Sequence, residues 1–376
     1  MDAGKDIINV CLPMTAGAFL SYHLGLNPPL VHIAAAASAA VLCALLLLSG
    51  TSAARSRVFW TAVFFCLGVF CSCASSVCGI GSCGLSPFAC CRDTLGAVIM
   101  DSPLKQERSK ALAKALLLGD RSSLDKDCIN AFRGAGGAHL LALSGMHLGI
   151  IYAILSRLGA LLGYSIAARR IRSSLIILLT GAYTLLTGAA PSLCRAFLFI
   201  FLRELSLMLD RPQKAGHIFC SALTLHIVLN PSAVGDIGFQ LSYLAMVGIV
   251  FAWPHVRGWY DIPGVLAHIL AEERVQKSDT AQRQSSSTGR KIWDAASLGI
   301  CCQLFTAPLT LLYFGTFPKY FLITNLVAAP LTSVVMVCAL IILGSGLFGW
   351  QSELLMRACE MPIRLLCSLM ETITSM

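Results

Sequence analysis

The sequence predicts an all-α polytopic integral membrane protein with about ten transmembrane helices, some of them broken or re-entrant. Three observations lead to this prediction. Hydrophobic residues make up 56% of the chain, charged residues only 12%, and the mean hydropathy is +0.75, which excludes an ordinary soluble domain. Apolar runs of about 17 to 25 residues, long enough to cross a bilayer as helices, recur along the chain. Polar side chains interrupt several of these runs.

The apolar runs divide the chain into four parts. Transmembrane spans occupy residues 1–75, a short external segment with amphipathic helices residues 76–137, a core of spans residues 138–350, and an amphipathic or interfacial segment residues 351–376. The final apolar run, near residues 320–349, is long enough for two passes broken at Pro330. The other runs lie near residues 7–26, 30–49, 58–75, 140–162, 173–188, 193–210, 215–229, 239–253 and 293–314.

Lysine and arginine in short loops set the expected orientation. Lys5 precedes the first apolar run, and no small-residue cleavage site follows before the second run begins, so we expect an uncleaved, cytosolic N-terminus. The basic loops then fall on the cytosolic side, including the loop at residues 254–292, which is polar and Ser-rich and is expected to act as a tether.

The external segment is expected to contain two short helices. Residues 105–118 have the pattern of an amphipathic helix, and Ser122 and Asp125 have the spacing of a capping box for a second one. Its basic residues either collect phosphates at a pore mouth or form a solvated or headgroup-facing surface, since acidic residues nearly balance them. These basic residues are Lys105, Arg108, Lys110, Lys114 and Arg121.

Four cysteines also lie at the outer edge of the first spans: Cys78, Cys83, Cys90 and Cys91. An oxidising exterior would permit disulfides among them, and having no special role is the alternative. Zinc is disfavoured because paired CxxC motifs and a nearby histidine are missing, so neither a metal nor a cofactor is predicted.

The stretch at residues 138–149 places His139, Ser144 and His147 inside an apolar run. Gly145 beside Ser144 indicates a broken or re-entrant segment, which membranes tolerate where the backbone lines a cavity or packs against protein. The three side chains either line a pore or form hydrogen bonds between helices. A Ser144–His147 nucleophile pair is a third interpretation, although the GxSxG elbow and a local aspartate are missing.

Two further polar groups occur in later spans. Arg195 follows Pro191 inside an apolar run and is the best single candidate for contacting a phosphate, because a guanidinium matches phosphate oxygens in pairs. Arg203 is a weaker candidate, since it can reach the interface. Asp236 and Gln240 share a helix face if their turn is helical, and Asp236 either pairs with Arg195 or caps a helix.

Four blocks, taken in order, resemble the membrane core of the ComEC-type competence family. They are ALLLGDRSSLDKDCINAFRGAGGAHLLALSGMHLG at residues 115–149, GAAPSLCRA at 188–196, NPSAVGDIGFQLSYLAMVGI at 230–249 and APLTLLYFGTFPKYFLITNLVAAPL at 307–331. The resemblance implies a DNA-uptake channel core in the bacterial cytoplasmic membrane that passes single-stranded DNA during natural transformation.

The resemblance also sets expectations about what else is needed. The family's external OB-like domain and C-terminal metallo-β-lactamase-like domain have no counterpart in this sequence, so nuclease activity is not expected. We expect single-stranded DNA, membrane lipids, a separate external DNA receptor, a cytosolic translocase and a separate nuclease as partners, and a homodimer as a possible assembly. A small-solute or lipid-precursor permease and an intramembrane hydrolase are the alternative functions.

Overall fold

The computed structural model describes residues 3–24, scattered positions from 31 to 42, and residues 57–78, 88–163, 165–211, 213–257, 288–315 and 321–375. This part of the chain forms helices and no strand, which confirms the all-α prediction. The first eight helices are α1 (Ala3–His23), α2 (Arg57–Cys78), α3 (Ala89–Met100), α4 (Glu107–Leu118), α5 (Lys126–Gly134), α6 (Ala138–Leu141), α7 (Gly145–Gly159) and α8 (Ile166–Leu186).

Seven further helices lie in the described residues of the second half of the chain. They are α9 (Pro191–Met208), α10 (Ala215–Leu229), α11 (Ile237–Val247), α12 (Trp253–Arg257), α13 (Thr288–Phe314), α14 (Phe321–Leu347) and α15 (Glu353–Ser375). A π-helical turn, Gly248–Ala252, joins α11 to α12. The predicted cytosolic tether lies largely outside the described residues.

Four described segments are long and apolar enough to cross a membrane. The predicted count of about ten spans therefore remains a prediction. The four segments are Gly145–Leu162, Ile237–Arg257, Trp293–Tyr313 and Leu326–Leu347.

The prediction of a break at Pro330 is wrong, because α14 continues through that residue as one helix. At 27 residues it is about 40 Å long, which suits a single tilted pass. Proline removes one backbone hydrogen bond, but packing on both sides of it holds the helix together: Ala328 and Val335 are fully buried against other helices.

Close backbone contact joins the two N-terminal helices. A Cβ atom at Gly17 of α1 would lie 2.2 Å from the Phe65 carbonyl oxygen, and one at Gly68 of α2 would lie 2.1 Å from the Met14 carbonyl oxygen. Small residues that let two backbones approach in this way are a usual device for packing helices in membranes.

The C-terminal helix α15 is amphipathic, and its apolar side is buried in the largest hydrophobic core among the described residues. That core also contains α4, α5 and α14, so the external segment and the C-terminal segment pack together. Met356, Ile363 and Leu366 supply much of the buried face of α15. The buried Glu360 carboxylate accepts hydrogen bonds from the backbone N–H groups of Lys105, at 3.4 Å, and Gln106, at 3.0 Å.

Two local predictions for the external segment need correction. The helix α4 begins at Glu107, two residues later than predicted, and eight of its twelve residues are buried because α3, α14 and α15 surround it. The capping box of Ser122 and Asp125 does not form: Asp125 precedes α5 without a side-chain cap, and the Ser122 N–H instead donates to Asp120 at 2.9 Å.

Candidate functional site

The predicted break lies between α6 and α7. Residues 142–144 are not helical, and α7 starts at Gly145. His139 is therefore on a different helix from His147: His139 is exposed, whereas His147 is fully buried. The two histidines do not share one helix face.

Side chains from distant helices satisfy the carbonyl groups of the break. Arg121 Nε donates to the Leu141 carbonyl at 3.1 Å, and Ser192 Oγ donates to the Leu143 carbonyl at 2.5 Å. Non-helical backbone at membrane depth requires such partners, since no water is available there. Arg121 is thus tied to the protein's own backbone through Nε, while its side chain remains exposed.

Ser144 and His147 cap the start of α7. The Ser144 N–H donates to His147 Nδ1 at 3.1 Å, and Ser144 Oγ lies 2.9 Å from the same nitrogen. In a hydrolase the second ring nitrogen would donate to a carboxylate, but His147 Nε2 has no hydrogen-bond partner among the described residues. The geometry favours a structural cap over a nucleophile pair.

A second polar group, which we call the Arg195 cluster, consists of Arg195, His226, Asp236, Phe239 and Tyr243. Arg195 projects from α9, His226 from α10 and the other three from α11 or its N-cap. His226 Nδ1 lies 3.1 Å from Tyr243 Oη, and the Phe239 ring lies 4.5 Å from the Tyr243 ring and 5.0 Å from that of His226.

The Arg195 guanidinium is the unusual member of this cluster. Its side chain is only 5% exposed, yet Arg195 Nε has no hydrogen-bond partner within the part of the chain that the structure describes. His226, Asp236 and Tyr243 are close enough to act on it electrostatically, although no described carboxylate lies within 4.0 Å. A buried cation that lacks a close counter-ion is costly to keep, so its presence calls for a structural or functional explanation.

Of the two interpretations of Asp236, the structure shows helix capping. Its carboxylate accepts the N–H groups of Gly238, at 3.3 Å, and Phe239, at 3.1 Å, at the start of α11. Gln240 does not extend this contact, because its side-chain amide donates to the Val234 carbonyl at 2.9 Å.

Comparison with known proteins gives these groups a context. The Competence protein family matches residues 116–376, which is more than half of the chain. The chain belongs to the competence protein family. ComE operon protein 3 of Bacillus subtilis (strain 168) is 35% identical to it over 146 residues, 38% of this chain but only 18% of that relative. No solved structure matches the chain.

The region that matches the competence family contains the helix break and the whole Arg195 cluster. Of the five predicted external cations, it includes only Arg121; the other four, Lys105, Arg108, Lys110 and Lys114, precede residue 116. Three of those four have carboxylate partners in the structure. The pairs are Arg108 with Glu371 at 2.6 Å, Lys110 with Glu107 at 2.8 Å, and Lys114 with Asp120 at 2.8 Å.

These pairs neutralise three of the segment's cations, whereas Lys105, Arg121, Lys126 and Arg133 have no described ion pair, so both interpretations of the basic residues stay predictions. The Lys114 ammonium also lowers the pKa of the Asp120 carboxyl well below its ordinary value, assisted by hydrogen bonds from Ser122.

The structure describes only part of the group of four cysteines for which disulfides were considered. Cys90 and Cys91 are exposed free thiols at the start of α3. Cys83 and the side chain of Cys78 lie outside the described residues. Among the described residues, no group of three or more histidine, cysteine, aspartate or glutamate side chains is arranged to hold a metal ion.

Sequence reasoning missed two polar groups. His226 lies inside an apolar helix with no neighbouring polar residue to draw attention to it. Glu204 is buried between three helices, whereas the sequence places it near the end of a span. Arg203 beside it is exposed, and its guanidinium carbon lies 5.8 Å from the centre of the Tyr152 ring.

Proposed function

We propose that this competence family member is the core of a DNA-uptake channel, which passes single-stranded DNA across the bacterial cytoplasmic membrane during natural transformation. Family membership supports a role in competence, and the hydrophobic helices support a membrane location. The relative is much longer than the matched region, so its whole activity and its partners do not transfer as findings.

The Arg195 cluster is the observation that carries this proposal. Single-stranded nucleic acid offers a phosphate at each nucleotide and an aromatic face at each base, and its binding sites combine cations with aromatic side chains. Arg195 supplies a buried cation, Tyr243 lies close enough to act on it electrostatically, and the Phe239 ring packs on Tyr243. A small apolar solute would not need such a cation.

The helix break lies next to this cluster. A Cβ atom at Gly145 would lie 3.3 Å from that of Ala196, which directly follows Arg195 on α9. The start of α7 therefore packs on α9 one residue after the phosphate candidate, whose own side chain faces α10 and α11. Broken helices at membrane depth commonly line the path of a transported ion or substrate.

A path with one buried cation and few others suits a channel that conducts DNA better than a site that retains it. A conducting site must bind its cargo well enough to admit it and weakly enough to release it. We propose that external capture, nucleolytic removal of one strand and energy input come from a separate receptor, a nuclease and a translocase. A GxxxxGK[ST] nucleotide-binding motif is missing from this sequence.

The test is uptake of labelled duplex DNA into a nuclease-protected state in a transformable host. The strain lacks this chain and is complemented with wild type, Arg195→Gln, Arg195→Lys or the control Arg157→Gln, which alters an exposed arginine at the end of α7. Loss of a buried charged contact costs about 2 to 5 kcal/mol, so we expect Arg195→Gln to lower uptake by at least about tenfold.

The remaining variants separate charge from folding. We expect Arg195→Lys to retain more uptake than Arg195→Gln, and Arg157→Gln to match wild type, at equal membrane levels. Unchanged uptake in the deletion strain would overturn the channel proposal and favour a permease for a small solute. Equal uptake by Arg195→Gln and wild type would remove the Arg195 cluster from the DNA path.

A further inference from the structure

Two cysteines face each other where the C-terminal helix packs on the external segment. Cys128 of α5 is 1% exposed, and Cys367 of α15 is partly exposed at the edge of the same hydrophobic core. Both are free thiols, and their side chains lie within hydrogen-bonding reach of each other. The pair therefore connects two helices that are far apart in the chain.

Other contacts hold these two helices closely together around the pair. Thr374 Oγ1 of α15 donates to the Ala131 carbonyl of α5 at 2.7 Å. A Cβ atom at Gly134, the last residue of α5, would lie 2.5 Å from the Thr374 side chain. A disulfide requires two backbones close together, with Cα atoms about 4.4 to 6.8 Å apart. Packing of this kind, between helices and not between loops, presents the two thiols to each other in a fixed arrangement.

A cation lies beside the pair. Arg108 of α4 forms an ion pair at 2.6 Å with Glu371, one helical turn after Cys367, and its guanidinium acts electrostatically on both thiols. The hydrogen bond with Cys367 and this positive charge lower the pKa of the Cys128 thiol below its ordinary value, although burial opposes them. The thiolate is the form of cysteine that attacks a disulfide, so this environment favours reaction.

A second pair of thiols in the same core provides a comparison. Cys338 of α14 and Cys359 of α15 also lie within hydrogen-bonding reach, but both are buried. Cys338 belongs to the part of α14 that is long and apolar enough to cross a membrane. Proximity is common to both pairs, whereas partial exposure of Cys367 and the charge of Arg108 mark the first.

We propose that Cys128 and Cys367 are a redox-active pair, which a disulfide oxidant converts to a disulfide bond between α5 and α15 while the second pair stays reduced. The partly exposed Cys367 thiol loses its proton and attacks one sulfur of the oxidant, forming a mixed disulfide and releasing a first thiolate. The Cys128 thiolate then attacks the Cys367 sulfur, and the other oxidant sulfur leaves as a thiolate.

This exchange is balanced. The two cysteines together lose two electrons and two protons, and the oxidant is reduced to two thiols. On the predicted external side of the membrane, oxidants of this class are available. The bond fixes the C-terminal helix to the external segment, whatever cargo the channel carries.

The test is treatment of the purified full-length protein in liposomes with mixtures of oxidised and reduced glutathione. Free thiols are then blocked, and the protein is digested with trypsin and measured by mass spectrometry. Trypsin places Cys128 in residues 127–133 and Cys367 in residues 365–376, each as the sole cysteine of its peptide. We expect these two peptides to be linked, and a reductant to separate them.

Four other cysteines of the same protein are internal controls. The exposed thiols Cys90 and Cys91 should react with glutathione, which shows that the oxidant is active. The buried thiols Cys338 and Cys359 should remain free under the same conditions.

Variants separate the two steps of the exchange. We expect Cys128→Ser to stop at the mixed disulfide of Cys367 with glutathione, and Cys367→Ser to leave the buried Cys128 unmodified. Arg108→Gln and Glu371→Gln break the same ion pair, but only the first removes the cation. We therefore expect linkage to be about threefold slower in Arg108→Gln and no slower in Glu371→Gln.

Three results would overturn the proposal. The first is no linked peptide at any glutathione ratio in protein whose Cys90 and Cys91 react. The second is equal linkage of Cys338 with Cys359, and the third is a Cys128→Ser protein without the mixed disulfide. Equal rates in the two ion-pair variants would overturn the role of Arg108. If a variant fails to fold, the two wild-type pairs alone decide the outcome. None of these results bears on the DNA-uptake proposal.

Discussion

Replacement of Glu360 by glutamine removes the charged acceptor that α15 presents to the start of α4. The carboxylate accepts the Gln106 N–H at 3.0 Å and, less well, the Lys105 N–H at 3.4 Å. A hydrogen bond to a charged group contributes about 1.5 to 3 kcal/mol, and the glutamine oxygen would recover about 1 kcal/mol with one of the two donors. Because the 3.4 Å bond is weak, the two bonds together contribute about 3 to 4 kcal/mol, and the net loss is about 2 to 3 kcal/mol, concentrated where α15 contacts α4.

Hydrogen–deuterium exchange measured by mass spectrometry tests this loss directly. A local destabilisation of about 2 to 3 kcal/mol accelerates exchange roughly 30- to 150-fold for the peptide that contains Lys105 and Gln106. The matched control is Glu371→Gln, which alters the same helix but removes only a partly exposed ion pair with Arg108, worth about 1 kcal/mol or less. Equal exchange in Glu360→Gln and wild type, or equal effects of the two variants, would refute the reasoning.

Two other predictions concern stability. Gly68→Ala forces α1 and α2 apart, since its Cβ would lie 2.1 Å from the Met14 carbonyl oxygen; thermal unfolding in detergent should show a loss of about 1 to 3 kcal/mol. Gly299→Ala, with no atom within 4 Å of its Cβ, should melt like wild type, and equal melting of both variants would contradict the argument. Lys114 lowers the Asp120 pKa, so this pair stabilises the fold above the unfolded value of about 3.9 and is lost as pH falls below it. The protection of residues 119–124, measured relative to their intrinsic exchange rates at each pH, should decrease on acidification in wild type but not in Asp120→Asn; parallel pH profiles would argue against the pair.

Local signals predicted the helix break correctly. Gly145 follows Ser144, a preferred N-cap residue, and both fall inside an apolar run, so the start of α7 was readable from neighbouring residues. The unbroken α14 shows the opposite case. A proline alone predicts a break, but packing of Val335 and its neighbours decides whether the helix continues.

Sequence patterns could not predict the contacts between segments that lie far apart in the chain. The periodicity of α15 showed an apolar side without showing what covers it, and the bonds from Glu360 to α4 join residues more than 250 positions apart. The same limit applies to the candidate site. From the sequence, Asp236 could either pair with Arg195 or cap a helix, and only the fold shows that its carboxylate caps α11. His226 gave no signal at all, because a lone histidine in an apolar helix is common.

The helix α9 carries two buried ionisable residues of opposite charge, Arg195 and Glu204, which do not neutralise each other. Nine residues separate them, which is about 13.5 Å along the axis and half a turn around it. At that distance their attraction is about 1 kcal/mol even at an effective dielectric constant of about 20. Arg195 faces α10 and α11, whereas Glu204 faces α7 and α8. Each charge therefore depends on its own surroundings: the Tyr152 and Ser173 hydroxyls form hydrogen bonds with Glu204, whereas Arg195 has no described carboxylate within 4.0 Å.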